Sequence, residues 1–210
     1  RQRQMCIRDR FYVGFAAFPC NQTTPSRVID KNEGKEDPQA PVLRDSNWPN
    51  GRPDLTPAHT QQVRQLNQIV ARGVTILDSI AANGGDIAFE TSAHRDDPGR
   101  LDVYDDRAEG HITIASVWPV NILITKYHMV CFTTEFCSWA DSSDRNQHQK
   151  STDVWMTPRL AAIWGERLGE RRCGPPHCDK GPYGHVPLGG RDEHGGWRTT
   201  GTGAYPDELI

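Results

Sequence analysis

The segment beginning at Thr56, TPAHTQQVRQLNQIVARGVTILDSIAANGG, restricts the fold of this chain more than any other. Its apolar residues recur with the spacing of one helix face, at Val63, Leu66, Val70, Val74, Leu77 and Ile80. Thr56 predicts an N-cap, Pro57 a first helical position, and the closing Gly-Gly pair a helix end. DIAFE follows at once and predicts a short strand ending at Glu90. A long helix that leads through a glycine turn into a strand indicates half of an α/β crossover unit.

Other strand-like segments flank this unit. Phe11–Phe18 is an aromatic and β-branched run that ends before Pro19 and predicts a buried strand. His128–Trp139 and Lys150–Thr157 predict two strands that pair across a polar connection. HITIASVWPVNILIT, residues 111–125, is consistent with a helix or with a strand. The predicted fold class is therefore α/β, over residues 11–170, followed by an irregular Cys/His/Gly-rich tail over residues 171–210.

Length, charge and cysteine usage limit the class of protein. A chain of 210 residues suits one ordinary α/β domain. The formal net charge of −3 at pH 7 excludes a global basic field, so nucleic-acid binding would need a local patch. The sequence contains no run of about 18 apolar residues, so it predicts no membrane-spanning helix. Six unevenly spread cysteines are typical of a reduced intracellular protein, cytoplasmic or nuclear.

The first ten residues, RQRQMCIRDR, have the character of translated sequencing-adapter sequence, non-native to the protein, rather than of a domain. Such segments are excluded from fold reasoning. We therefore expect residues 1–10 to lie outside the native fold and the natural chain to continue upstream of Phe11.

Cys20 and Glu90 are the candidate catalytic residues. Cys20 follows one predicted strand and Glu90 ends another, with the long helix between them. Ligands of open α/β sheets bind beyond the carboxyl ends of the strands, so both side chains are expected at one edge. A thiolate nucleophile beside a carboxylic acid that holds or protonates a substrate ring is the chemistry this pair fits. A small buried thiol and a salt-bridged or solvated carboxylate are the alternative interpretations.

Five short motifs carry a resemblance to a known family: PCNQTTPSR, FETSAHRDDP, QKSTDVWMT, CGPPHCDKGPYGH and GAYPDEL. The order of Pro19-Cys20, a long helix and the Phe89-Glu90 strand end resembles the second half of a DNA cytosine-5 methyltransferase-like domain. That family belongs to the class I S-adenosylmethionine-dependent methyltransferases, and the motif set is similar to a divergent protist and mobile-element branch. The predicted strand pair is similar to the antiparallel end of class I methyltransferase sheets.

The resemblance implies a partial Rossmann-like methyltransferase sheet that acts on DNA. Cys20 would attack carbon 6 of a flipped cytosine, Glu90 would hydrogen-bond the ring nitrogen, and S-adenosylmethionine would give its methyl group to carbon 5. Gln22, Ser26 and Arg27 would contact the base or a phosphate. No Gly-rich turn of the kind that seats the cofactor precedes Cys20, so we expect an N-terminally truncated domain that is inactive alone.

The tail contains a candidate metal site. Cys173, His177, Cys178 and His185 supply two thiolates and one or two imidazoles, a set that can complete a tetrahedral zinc site. A structural role in a tail with little core is expected of such a zinc ion. A reduced Cys/His-rich loop without metal is the alternative.

Two further functions are consistent with the sequence. One is a non-enzymatic, mobile-element-associated binding module with a zinc-stabilised tail. The other is an unrelated thiol-dependent enzyme in which His94 or His111 serves as the base for Cys20.

Overall fold

The structure is a computed structural model that describes residues 12–23, 41–94, 110–139, 150–171, 173 and 185. Its regular elements follow in chain order: β1 (Val13–Ala17), α1 (Pro57–Ala82), β2 (Asp86–Ser92), a 3-10 turn (Ile114–Ser116), α2 (Val120–Lys126), β3 (Val130–Glu135), a second 3-10 turn (Phe136–Ser138), β4 (Ser151–Met156) and α3 (Pro158–Glu170). The predicted α/β class is confirmed at this level.

The four strands form one mixed sheet in the order β1-β2-β4-β3. β1 and β2 are parallel, with Ala17 opposite Glu90, as the crossover interpretation of α1 requires. β4 lies between β2 and β3 and is antiparallel to both, with Val154 opposite Glu90. The predicted antiparallel pair is therefore present. The carboxyl ends of β1, β2 and β3 and the amino end of β4 all lie at one edge, which we call the carboxyl edge.

Helix α1 forms where its periodicity predicts. The Thr56 hydroxyl oxygen accepts a hydrogen bond of 3.3 Å from the His59 amide, and Pro57 occupies the first turn. The predicted apolar face is buried at five positions, Val63, Leu66, Val70, Val74 and Leu77, while Ile80 is partly buried against the same core. At the other end Gly84 has a φ of +83°, a conformation that favours glycine.

Two hydrophobic clusters lie on opposite faces of the sheet, because successive side chains of a strand point in opposite directions. Ile87 and Phe89 of β2 face a cluster that includes α1 and α2. Ala88 lies in the second cluster, with Met156 and residues of α3. The chain is thus a sheet covered by helices on both faces.

Several elements differ from the sequence predictions. β3 ends at Glu135, and residues 136–138 of the predicted strand His128–Trp139 form a 3-10 turn. β2 continues to Ser92, two residues beyond its predicted end at Glu90. The undetermined segment 111–125 contains a 3-10 turn and most of α2, so it is not a strand. α3 was not predicted, although Thr157-Pro158 repeats the Thr-Pro start that identified α1. Among the helices of the described ranges, none is both long enough and apolar enough to span a membrane.

Candidate functional site

Cys20 lies at the carboxyl edge, three residues beyond β1, in a short turn. The Thr23 amide and hydroxyl both donate to the Cys20 carbonyl oxygen, at 2.9 and 3.3 Å. The Thr23 carbonyl in turn accepts from the Ser92 hydroxyl at 3.1 Å, which ties this turn to the end of β2. The Cys20 thiol is partly buried and free. Cys20 therefore lies where a nucleophile is expected, after a strand, in a turn that hydrogen bonds attach to the end of β2.

Glu90 reaches the same edge from β2 and is almost fully buried. Its carboxylate oxygen Oε1 lies 3.5 Å from the Lys150 ammonium nitrogen, which precedes β4. Burial raises the pKa of the Glu90 carboxyl above its ordinary value, and the Lys150 charge opposes that rise. Glu90 is thus a carboxyl group whose surroundings favour the protonated form more than water does.

Cys20, Glu90 and Lys150 form one electrostatic cluster, which we call the thiol cluster. Burial raises the pKa of the Cys20 thiol, the positive charge of Lys150 lowers it, and the negative charge of Glu90 raises it. The structure therefore brings together the two predicted catalytic residues. It does so through elements far apart in the sequence.

Lys150 is the member of the thiol cluster that sequence reasoning missed as a site residue. The sequence identifies it only as the first residue of a predicted strand. Its ammonium group also lies 4.3 Å from the centre of the Phe136 ring, a cation–π contact. Only the placement of β4 beside β2 shows that this lysine faces Glu90.

Gln22 has a different environment from the one its predicted substrate role suggests. It is buried, and its amide oxygen accepts from two guanidinium nitrogens of Arg44 at 3.2 and 3.1 Å. Its amide nitrogen donates to the Gln62 carbonyl of α1 at 2.9 Å. Gln22 therefore connects the Cys20 turn to α1. Ser26 and Arg27, the other two predicted substrate contacts, lie outside the described residues.

Arg44 is a buried cation that the sequence did not identify. Besides Gln22, it donates to the Asn67 side-chain oxygen at 2.8 Å and to the Pro49 carbonyl at 2.8 Å. Burial lowers the pKa of its guanidinium group to about 10. Its contacts hold the segment around residues 44–49 and the Cys20 turn against the same part of α1.

His94 and His111, the histidines of the alternative thiol enzyme, lie close together, with ring centres 5.7 Å apart. His111 is buried, and its Nε2 lies 2.9 Å from the Thr23 carbonyl oxygen. Because a carbonyl only accepts, this nitrogen carries a proton and donates it to the Cys20 turn. Among the described residues, the charges of Lys150 and Glu90 act on the Cys20 thiol.

A second cluster contains Cys137, Cys173 and His185, and we call it the Cys/His cluster. Their ligand atoms all lie within 4.8 Å of one another, and the Cys173 sulfur lies 3.2 Å from His185 Nε2. This group could hold a metal ion. Cys173 and His185 belong to the predicted set, whereas Cys137 was not predicted. His177 and Cys178 lie outside the described residues.

Comparisons with known proteins return no match among family models, curated proteins or solved structures.

Proposed function

We propose that this chain carries the nucleophilic half of a DNA cytosine-5 methyltransferase-type site. The observation that supports this proposal is the thiol cluster, in which Cys20 and Glu90 act on each other at the carboxyl edge. The order of the strands agrees with it, since the sheet ends in the antiparallel pair that the family resemblance implies. Chemistry on a cytosine ring carbon requires a base turned out of the DNA stack, which an edge cluster can receive.

The proposed reaction begins at the thiol. Cys20 loses its proton to solvent, and the thiolate forms a bond to carbon 6 of the pyrimidine ring. The electrons of the 5,6 double bond move toward carbon 5 and the ring, and Glu90 donates its proton to ring nitrogen 3. A buried carboxyl with a raised pKa suits this role because it remains protonated at higher pH than an exposed one. Burial raises the pKa of the Cys20 thiol, and the Lys150 charge opposes part of that rise, so Lys150 is the group of the thiol cluster that stabilises the thiolate.

S-adenosylmethionine, the methyl donor that the resemblance implies, does not fit the described residues. Such a cofactor needs a Gly-rich turn after a strand, at the carboxyl edge. Within the described ranges the residues that follow the strands at this edge include no such turn, and Gly84-Gly85 precedes β2 at the opposite edge. The chemistry proposed for the described residues is therefore addition to the ring, without the transfer of the methyl group.

The experiment tests the addition step without the cofactor. Oligonucleotides in which 2-pyrimidinone replaces one cytosine present an electron-poor ring that a thiolate adds to directly. We expect a covalent adduct of one oligonucleotide per chain, detected by intact mass spectrometry under denaturing conditions and assigned to Cys20 by peptide mapping. Glu90→Gln is expected to slow its formation by roughly 10²–10⁴-fold, the usual contribution of a general acid.

Matched variants make the result specific. Cys20→Ser is expected to abolish the adduct, whereas Cys131→Ser, which removes a partly exposed cysteine of β3, is expected to retain it. An adduct that maps to another cysteine, or that forms equally fast in Cys20→Ser, would refute the proposal. Thiol alkylation with iodoacetamide in the same samples verifies that Cys20 is reduced in each preparation.

A further inference from the structure

We propose that Cys137, Cys173 and His185 bind a zinc ion. Two thiolates and one imidazole are ligands that zinc prefers in proteins. Zn–S bonds of about 2.3 Å and Zn–N bonds of about 2.0–2.1 Å in a tetrahedron separate the ligand atoms by roughly 3.5–3.8 Å. The three ligand atoms all lie within 4.8 Å of one another, and the distance from Cys173 Sγ to His185 Nε2 is 3.2 Å. Both values lie within about 1 Å of the range for bound zinc.

The positions of the two cysteines are set by contacts that do not involve a metal. Cys137 is buried in the 3-10 turn that follows β3. The Cys173 amide donates to the Glu135 carboxylate at 2.6 Å, and the Glu135 amide donates to the Arg171 carbonyl at 3.1 Å. The Arg171 guanidinium donates to the Ser138 carbonyl at 2.8 Å. The chain after α3 is therefore attached to the turn after β3, so both thiols face one point before any ion binds.

Zinc at this point would connect three parts of the chain that are distant in sequence. It would link the 3-10 turn after β3, Cys173, which lies three residues beyond the end of α3, and His185. A tetrahedral ion bound by these three residues has one further coordination position. Because the unfolded chain does not hold the three ligands together, the free energy of metal binding contributes to folding.

The Cys/His cluster also borders the thiol cluster. Phe136 is adjacent to Cys137, and its ring contacts the Lys150 ammonium group that faces Glu90. A metal that fixes the 3-10 turn would therefore also fix the aromatic surface beside Lys150. This role is separate from the addition chemistry proposed for Cys20, since none of the three ligands belongs to the thiol cluster.

The test uses the full chain, reduced with a phosphine, loaded with zinc sulfate and separated from free metal by gel filtration. We expect about one zinc ion per chain by elemental mass spectrometry. Cys173, which is partly exposed, should resist iodoacetamide in the zinc-loaded protein and react after chelation. Removal of a ligand is expected to weaken binding on the order of 100-fold or more, measured by competition with a chromophoric chelator, since loss of an outer partner alone costs about 10–100-fold.

Variants separate metal binding from general loss of folding. Cys137→Ser changes a buried residue, so His185→Ala, which changes a partly exposed one, is the second test. Cys131→Ser and His59→Ala remove a cysteine and a histidine outside the cluster and are expected to keep the zinc. Failure of the wild-type chain to retain zinc, or wild-type affinity in His185→Ala, would overturn the proposal.

Discussion

Replacement of Lys150 by Met removes the positive charge that faces the buried Glu90 carboxylate. At the observed separation of 3.5 Å, Coulomb's law gives about 5 kcal/mol for an effective dielectric constant of about 20 and about 1 kcal/mol in water. The side chains are 9% exposed for Glu90 and 21% exposed for Lys150, so the pair lies between these limits. In the Lys150→Met variant, Glu90 can also take up a proton and become neutral, which limits the loss of stability. We therefore expect a loss of about 2 kcal/mol in the free energy of unfolding near neutral pH.

The pH dependence identifies the cause of this loss. Burial raises the Glu90 pKa above its ordinary value of 4.5. The folded state therefore loses stability as the pH rises from 4.5 to the higher pKa that Glu90 has in the folded chain. In Lys150→Met the opposing charge is absent, so the Glu90 pKa rises further. Ionisation of Glu90 then lowers the free energy of unfolding by a larger amount. At low pH Glu90 is neutral in both proteins, so the part of the difference that comes from the Lys150–Glu90 attraction should disappear, while the loss of other Lys150 contacts, such as that with the Phe136 ring, remains. Urea unfolding from about pH 4 to about pH 8 measures the difference between the two proteins.

Lys126→Met is the matched control. The Lys126–Asp78 ion pair is shorter, at 2.6 Å, but its side chains are 50% and 40% exposed. Solvent screening should make this pair the weaker one despite the shorter distance. A larger loss in Lys126→Met, a pH-independent loss in Lys150→Met, or an equal loss when Glu90→Gln is also present would refute the reasoning. Peptide-resolved alkylation adds a second measurement, since the Cys20 pKa should rise and its reaction at a given pH should slow in Lys150→Met.

Two further predictions concern the core, and both are measured by urea unfolding. Leu77→Ala, at a position 2% exposed on α1, is expected to destabilise the chain by about 2–5 kcal/mol. The neighbouring Ile76, 62% exposed, provides the control, since Ile76→Ala should change stability by no more than about 0.5 kcal/mol. Gly165→Ala places a Cβ closer than 3.0 Å to three atoms of the Phe132 ring and is expected to cost about 1–3 kcal/mol. Gly169→Ala, whose Cβ would meet the same ring at 3.7 Å, should cause no loss. Equal stability of the two variants within either pair would contradict this packing of α1 and α3 on the sheet.

The elements that the sequence predicted are those with local signals. Helix α1 is specified by its apolar period and by the Thr56 cap, which depend only on neighbouring residues. The common edge of Cys20 and Glu90 was also predictable, because a crossover helix joins parallel strands and parallel strands end at the same edge. The same local cap at Thr157-Pro158 could have identified α3.

The composition of both clusters depends on contacts between distant residues. The insertion of β4 between β2 and β3 brings Lys150 to Glu90, and the attachment of Arg171 to the turn after β3 brings Cys173 to Cys137. Strand order is determined by how the two faces of the sheet are covered, a property that no local pattern contains. The sequence alone thus determined helix α1, the presence of the four strands and the shared edge of Cys20 and Glu90. Only the tertiary structure decided which lysine faces the carboxylate and which cysteine completes the Cys/His cluster, because those choices are made by packing.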